Sequence, residues 1–237
     1  MKLISVIVPV YNEAENLGQL VAELQSSLSP LICPHEILFV DDGSTDESLA
    51  IIRALAAEHS QIQCIAFEKN TGQSAALYAG FQQARGDVVI TLDADLQNDP
   101  ADIPVMLRYY GDYDMITGWR KNRRDPLSKK IASKVGNSFR NWMTRETIHD
   151  TGCSLKIMRA DMLKKIKMFR GLHRFLPTLM RLEGARVIEV PVNHRPRLHG
   201  VSKYTNWRRG IEGFQDVLAV QWMQKRNLRI KIRESHE

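Results

Sequence analysis

Residues 88–100 read VVITLDADLQNDP, and the fold turns on this stretch. Its first five residues are apolar and rich in β-branched side chains, the length of one buried strand. The run stops at Asp93-Ala94-Asp95, where two carboxylates flank a residue too small to block approach. In an open α/β sheet, ligands sit in the crevice at the carboxyl ends of the strands. Two acids one residue apart at such an end suit a hard divalent cation that bridges to phosphate oxygens. Taken alone, the same letters also fit an acidic turn leading into a helix that starts at Asp99-Pro100.

Working outward, residues 1–95 alternate short apolar runs with helical patterns, which predicts βαβ units and a largely parallel sheet. Strands are expected at 3–10, 36–40 and 63–67. A helix at 13–28 carries Leu17, Leu20, Val21, Leu24 and Leu28 on one face. Ser44 or Thr45 is placed to cap the next helix, whose apolar positions are Leu49, Ile52, Leu55 and Ala56. The helix at 73–84 is built of small residues (Ala75, Ala76, Ala79, Gly80) and can approach the sheet closely. After the first strand stands PVYNEAEN rather than G-x-G-x-x-G, so the Rossmann-like sheet does not bind NAD.

Downstream, helices are expected at 100–110, 131–143, 161–167, 173–182 and 207–226. Strands are expected at 114–119 and 186–192, with a short apolar run at 154–158 after the turn Asp150-Thr151-Gly152-Cys153. No repeat or linker interrupts the chain. The division expected is a main domain over 1–205 and an amphipathic, basic helix and tail over 206–237.

The 237 residues are ordinary for a globular protein, at 43% hydrophobic and 25% charged. Cys33, Cys64 and Cys153 show neither disulfide nor metal spacing and read as reduced thiols in a cytosolic protein. The apolar run at 3–10 has no cleavage signal and reads as a strand, and no window reaches the roughly 20 apolar residues of a membrane span. The net charge of +6 gathers at 120–134 and 195–233, which implies an anionic partner. Nucleic acid is not the partner expected, because no aromatic platform or recognition helix accompanies the charge. His194 and His199 lack neighbouring cysteine or acidic ligands and read as surface residues.

Parallel strands share polarity, so Glu13, Asp41 with Asp42, and Asp93 with Asp95 converge on one edge. Such acids repel one another unless a cation or ligand donors compensate. A nucleotide offers both, as ribose and base donors and a metal-bound diphosphate.

Pro9-Val10-Tyr11-Asn12-Glu13, Val40-Asp41-Asp42-Gly43-Ser44, Gly86-Asp87 and Asp93-Ala94-Asp95-Leu96-Gln97 together resemble glycosyltransferase family 2, which has the GT-A fold. Gly118-Trp119-Arg120, Asp150-Thr151-Gly152 and residues 197–204 (RLHGVSKY) resemble its dolichyl- or undecaprenyl-phosphate mannose/glucose transferase branch. The resemblance runs from Leu3 to about Met223. It implies an α/β fold with a mostly parallel sheet flanked by helices, and an inverting transfer of a hexose from a donor such as GDP-mannose or UDP-glucose to a polyprenyl phosphate.

By this resemblance Pro9, Tyr11, Glu13, Asp41, Asp42, Asp93 and Ala94 hold the donor nucleotide. Asp95 and Gln97 bind Mg²⁺ or Mn²⁺, and Arg120 steadies phosphate charge. Arg197 and Lys203 clamp acceptor phosphate and leaving diphosphate, and Asp150 is the carboxylate available as a base. Many relatives carry membrane spans after this domain and this chain shows none. Contact with the inner face of the membrane is therefore expected through its own anionic-lipid-binding surface or a separate membrane protein. Stripes at Trp207, Ile211, Phe214, Leu218 and Trp222 and at Ile131, Val135, Phe139 and Trp142 fit either that surface or packing on the sheet. An alternative acceptor is a polysaccharide or a protein.

Overall fold

Strand β1 (Ile4–Val10) is apolar on both sides, as a strand covered on both faces must be. Val6, Val8 and Val10 join one buried layer and Ile7 the other. In this computed structural model, residues 1–121, 127–196 and 206–228 are described, with 127–135 and 206–211 as backbone only. β1 pairs in parallel with β2 (His35–Asp41), which pairs in parallel with β3 (Ile62–Ala66). On its other side β1 takes β4 (Val88–Thr91), again in parallel.

The parallel run ends there. Between β4 and β5 (Met115–Trp119) lies β6 (Lys156–Arg159), antiparallel to both, with Ile157 opposite Ile90 and Ile116. β7 (Val187–Pro191) closes the edge parallel to β5, giving the order β3-β2-β1-β4-β6-β5-β7. The run expected at 154–158 is thus an inserted strand; so short a run carries no sign of its direction.

Helices α1 (Ala14–Leu28), α2 (Ser48–Glu58) and α4 (Asp102–Leu107) cover the face of Val6, Phe39 and Ile90. Helix α3 (Gln73–Gln83) covers the face of Ile7, Leu38 and Val89, with α6 (Ala160–Leu163), the 3-10 turn Leu172–Phe175 and α7 (Leu176–Leu182). A Cβ on Gly80 would lie 2.4 Å from Ile7 Cγ2, so α3 is seated on β1 as its small residues predict. Helices α5 (Leu127–Thr144) and α8 (Asn206–Arg226) pack against each other, and Val217 and Val220 of α8 enter the second core layer. Burying each such side chain contributes about 1.5–3 kcal/mol. Cys33, Cys64 and Cys153 are free thiols. Among the described residues no helix is long and apolar enough to cross a membrane.

One local expectation fails. Neither Ser44 nor Thr45 caps α2; the helix begins later, and Asp46 Oδ1 accepts the Ser48 N–H at 3.0 Å. The earlier hydroxyls serve a different tie, at the edge where the site lies.

Candidate active site

The loops after β1 and β2 are bolted together. Asn12, at φ 55°, donates its N–H to Ser44 Oγ (3.0 Å) and accepts the Thr45 N–H at Oδ1 (2.7 Å). Asparagine tolerates this left-handed backbone because its short amide bonds locally. The Glu13 N–H reaches Ser48 Oγ at 2.9 Å, and Glu13 Oε2 accepts from Asn16 Nδ2 at 2.6 Å. Pro9, Tyr11 and Glu13 all remain partly exposed along this rim.

Asp41 and Asp42 have different jobs in the structure. Asp42 takes the Thr71 N–H at Oδ1 (2.7 Å), and the Gly72 N–H (2.8 Å) and Asn70 Nδ2 (3.0 Å) at Oδ2. Its carboxylate therefore holds the loop after β3 and is engaged at both oxygens. Asp41 is 1% exposed; Oδ2 accepts the Ser44 N–H at 3.2 Å, while Oδ1 is buried without a hydrogen-bond partner. A buried acceptor left unpaired costs about 1–3 kcal/mol, which a ligand donor would recover.

The end of β4 is held from two sides. Gln73 Nε2, in the first turn of α3, donates to Asp93 Oδ1 at 2.7 Å. Ser154 Oγ receives the Asp93 N–H at 3.2 Å and donates to Asn98 Oδ1 at 2.5 Å. Asp95 is buried, and its Oδ1 accepts the Gln97 N–H at 3.1 Å around Leu96, itself at φ 59°. Ala94 is buried between the two acids. Burial and then the Asp95 charge push the Asp93 carboxyl up to about 6, against the pull of the Ser154 bond, Lys156 and Arg120.

Lys156 was missed by the sequence reading. Opposite Thr91 and Thr117 in the inserted strand, it is 3% exposed and its ammonium donates to Cys153 O. Burial pulls its pKa down, while Cys153, Asp150 and Asp93 pull it up. The available signal was a lone lysine inside an apolar run close to an acidic edge.

Arg120, at the end of β5, grips Asp150 with two prongs: Nε to Oδ2 at 2.7 Å and Nη2 to Oδ1 at 2.9 Å. The Arg120 N–H reaches Oδ2 as well, at 3.2 Å. These bonds and the Asp150 charge raise the Arg120 pKa above its ordinary value, although burial opposes them. Glu189 of β7 accepts the N–H groups of His149 (2.8 Å) and Asp150 (2.9 Å), and the His149 ring stacks on Trp119 with centroids 4.6 Å apart. Arg195 N–H reaches Gln97 O at 3.0 Å, and its guanidinium bonds Glu23 and Asp99. The Arg197 and Lys203 clamp lies outside the described residues, as does His199.

The edge thus gathers acids at three strand ends, an arginine held by a carboxylate, and a buried lysine. A family model described as "Glycosyl transferase family 2" matches residues 5–167. The chain belongs to glycosyl transferase family 2. A curated relative, the dodecaprenyl-phosphate galacturonate synthase of Rhizobium johnstonii, is 38% identical over 241 residues, covering 98% of this chain and 69% of that protein. Among solved structures, glucosyl-3-phosphoglycerate synthase from Mycobacterium tuberculosis, in complex with Mn²⁺, UDP and phosphoglyceric acid, superposes with a TM-score of 0.66. It is 18% identical and covers 94% of this chain and 78% of its own. TarS 1-349 of S. aureus gives a TM-score of 0.59 at 21% identity, covering 98% and 67%. These likenesses show the GT-A type fold, as the sequence predicts.

The donor set of this glycosyltransferase fits a hard divalent cation. Among the described residues no group of three His, Cys, Asp or Glu could hold a metal by itself. A magnesium-type ion does not require one, since it keeps waters and takes one or two carboxylates together with substrate phosphates. Burial, and after it the Asp95 charge, raises the Asp93 carboxyl, and a cation there would offset both.

Proposed function

We propose that this glycosyltransferase moves a hexose or a hexuronic acid from a nucleoside diphosphate sugar to a polyprenyl phosphate at a membrane surface, with Mg²⁺ or Mn²⁺ bound. The observation that carries this is the acidic edge: Asp41 Oδ1 is unpartnered at the end of β2, and at the end of β4 the Asp93–Asp95 pair lies within electrostatic reach of Arg120, which Asp150 holds. Asp41, with Pro9, Tyr11, Glu13 and Ala94, lines the place for ribose and base, and Asp42 keeps the neighbouring loop in position. The solved neighbour with UDP and Mn²⁺ supports this class of donor, and the galacturonate synthase supports the polyprenyl phosphate acceptor.

Asp95 with Gln97 would hold the cation, whose chemistry is to neutralise the diphosphate as it leaves. Arg120 offers its remaining N–H groups to the same phosphates. A lipid phosphate oxygen attacks the anomeric carbon, the carbon–oxygen bond to the diphosphate breaks, and the nucleoside diphosphate departs with that electron pair. The attacking phosphate is anionic already, so the residues act by positioning and charge. Asp150, engaged by Arg120 at both oxygens, is suited to orient that guanidinium rather than to accept a proton. Arg197 follows two residues after Arg195, whose N–H bonds Gln97 O, which supports its reading as a phosphate clamp with Lys203.

Phe139 and Trp142 of α5 and Phe214, Leu218 and Trp222 of α8 are all exposed. The Phe139 and Phe214 rings stack at 5.8 Å, so the two helices share one aromatic patch. Arg145, Lys225 and Arg226 are exposed toward its ends. Aromatic side chains flanked by bases suit an anionic lipid surface, to which each Lys or Arg contributes about 1 kcal/mol. This patch supports a peripheral position on the cytoplasmic face of a membrane, reached directly or with a membrane-protein partner. A donor screen tests the function: labelled GDP-mannose, UDP-glucose and UDP-galacturonate with short polyprenyl phosphates, reading label in the organic phase. Label that stays in the aqueous phase with every donor overturns the reading.

A further inference from the structure

Arg140 of α5 is a cation that the reaction just described does not use. It is 7% exposed, and burying a charge is costly unless its donors are well matched. Its donors go to four neutral acceptors. Nη1 reaches Asn137 Oδ1 at 2.9 Å and Thr151 Oγ1, while Nη2 reaches Asn141 Oδ1 at 2.9 Å and Ile148 O at 3.2 Å. Nε is buried without a partner. Burial pulls its pKa down to about 10, although Glu146, Asp150 and Glu189 pull the other way.

Two of those acceptors lie in the 148–151 turn, on either side of Asp150. The same helix takes hold of the turn twice more, through Asn141 Nδ2 on Ile148 O (2.9 Å) and Asn137 Nδ2 on His149 O (2.8 Å). From the opposite side Glu189 receives the N–H groups of His149 and Asp150. The carbonyls of 148 and 149 are therefore tied to α5 and the amides of 149 and 150 to β7. The Asp150 carboxylate projects from this frame onto Arg120.

We propose that Arg140 is a positioning residue for glycosyl transfer: by holding Ile148 O and Thr151 Oγ1 it fixes Asp150 between them, and Asp150 fixes the Arg120 guanidinium. The proposal rests on the reading of Arg120 as a phosphate-stabilising group. A planar five-donor fork can span a carbonyl, a hydroxyl and two amides at once, which a lysine ammonium cannot. Arg140 touches no reacting atom, and its effect passes through Asp150.

The test is a double-mutant cycle of Arg140→Gln and Asp150→Asn, with Arg140→Lys beside it. It uses the donor selected by the screen above and a short polyprenyl phosphate. Misplacing a group that orients a reacting centre costs on the order of 10- to 100-fold, so Arg140→Gln is expected to lower kcat by that much. Donor KM should change by less than about 3-fold, since Arg120 keeps its charge near the donor diphosphate and what is lost is its alignment as the leaving group gains charge. Arg140→Lys should restore part of the loss. On the Asp150→Asn background, Arg140→Gln should cost less than about 3-fold, because residues acting through one another are not additive. An equal loss in both backgrounds, or an undiminished kcat in folded Arg140→Gln, overturns the proposal. If Arg140→Gln does not fold, Thr151→Val removes the turn's hydroxyl and runs the same cycle, with additivity again the overturning result. Should Asp150→Asn alone transfer sugar at the wild-type rate, the reading of the Arg120–Asp150 pair fails along with the proposal. A loss in Asp150→Asn without one in Arg140→Gln sinks the proposal alone.

Discussion

Arg120 and Asp150, 30 positions apart in the chain, meet in a two-pronged ion pair with contacts of 2.7 and 2.9 Å. The Arg120 side chain is only 14% exposed and that of Asp150 5%, so water screens the pair weakly. Arg120→Lys keeps the charge and loses the fork. Transfer is expected to fall by about 10- to 100-fold, with melting little changed. Initial rates with saturating acceptor and a thermal melt of the same sample check this.

Asp95→Asn is nearly isosteric, and the amide oxygen can still accept the Gln97 N–H. On the proposed reading the loss is one charged cation ligand. Activity should drop about 100-fold or more and should not return with added Mn²⁺. Mn²⁺ titrated in the presence of UDP, followed calorimetrically, should bind wild type and fail to bind the variant at the same concentration. Wild-type turnover by the variant would move the metal elsewhere.

Trp142 and Trp222 are 75% and 63% exposed. Surface substitutions away from special features usually change stability by less than about 0.5 kcal/mol. Trp142→Glu and Trp222→Glu are therefore expected to melt like wild type, yet no longer sediment with anionic liposomes at low salt. Wild-type protein left in the supernatant would remove the lipid surface from the account.

Far from the site, Glu36 lies 1% exposed at the opposite end of β2. Burial raises its carboxyl, but bonds from Ser5 Oγ, the Arg85 N–H and the Arg85 guanidinium outweigh it and hold the pKa below the ordinary 4.5. A depressed carboxyl contributes stability that is complete above its unfolded value and is lost as pH falls through the folded one. Glu36→Gln should cost about 1–3 kcal/mol near neutrality and flatten the decline in melting temperature below pH 4.5. Parallel declines in both proteins would show that the acid loss arises elsewhere.

The sheet was legible because parallel strands buried on both faces read as continuous apolar runs, and helix faces such as Leu17, Leu20, Leu24 and Leu28 repeat at three to four. Acids converge by strand polarity, so the edge was legible too. What the sequence hid is pairing across long distances. Nothing in the letters at 148–151 announces that α5 and β7 frame them, that Gln73 holds Asp93, or that Asp42 braces a loop while Asp41 keeps an oxygen spare. Lys156 was hidden because an isolated lysine in a short strand has no period. The aromatic stripes could not be oriented from spacing alone; burial of Val217 and Val220 turns Phe214, Leu218 and Trp222 outward.

The ties among Asn12, Ser44 and Thr45, and those from Asp42 to 70–72, have a thermodynamic corollary. Three loops that would otherwise wander are already cross-linked by side chains before any nucleotide arrives. Gly43 adds to this, since a Cβ there would meet Lys69 C at 2.5 Å and Asn70 N at 2.6 Å. Donor association then loses little chain entropy to loop ordering, and its free energy goes into contacts with the nucleotide. On the proposed reading the nucleotide half behaves as a cast mould, with affinity set by chemical fit at Asp41 more than by closure.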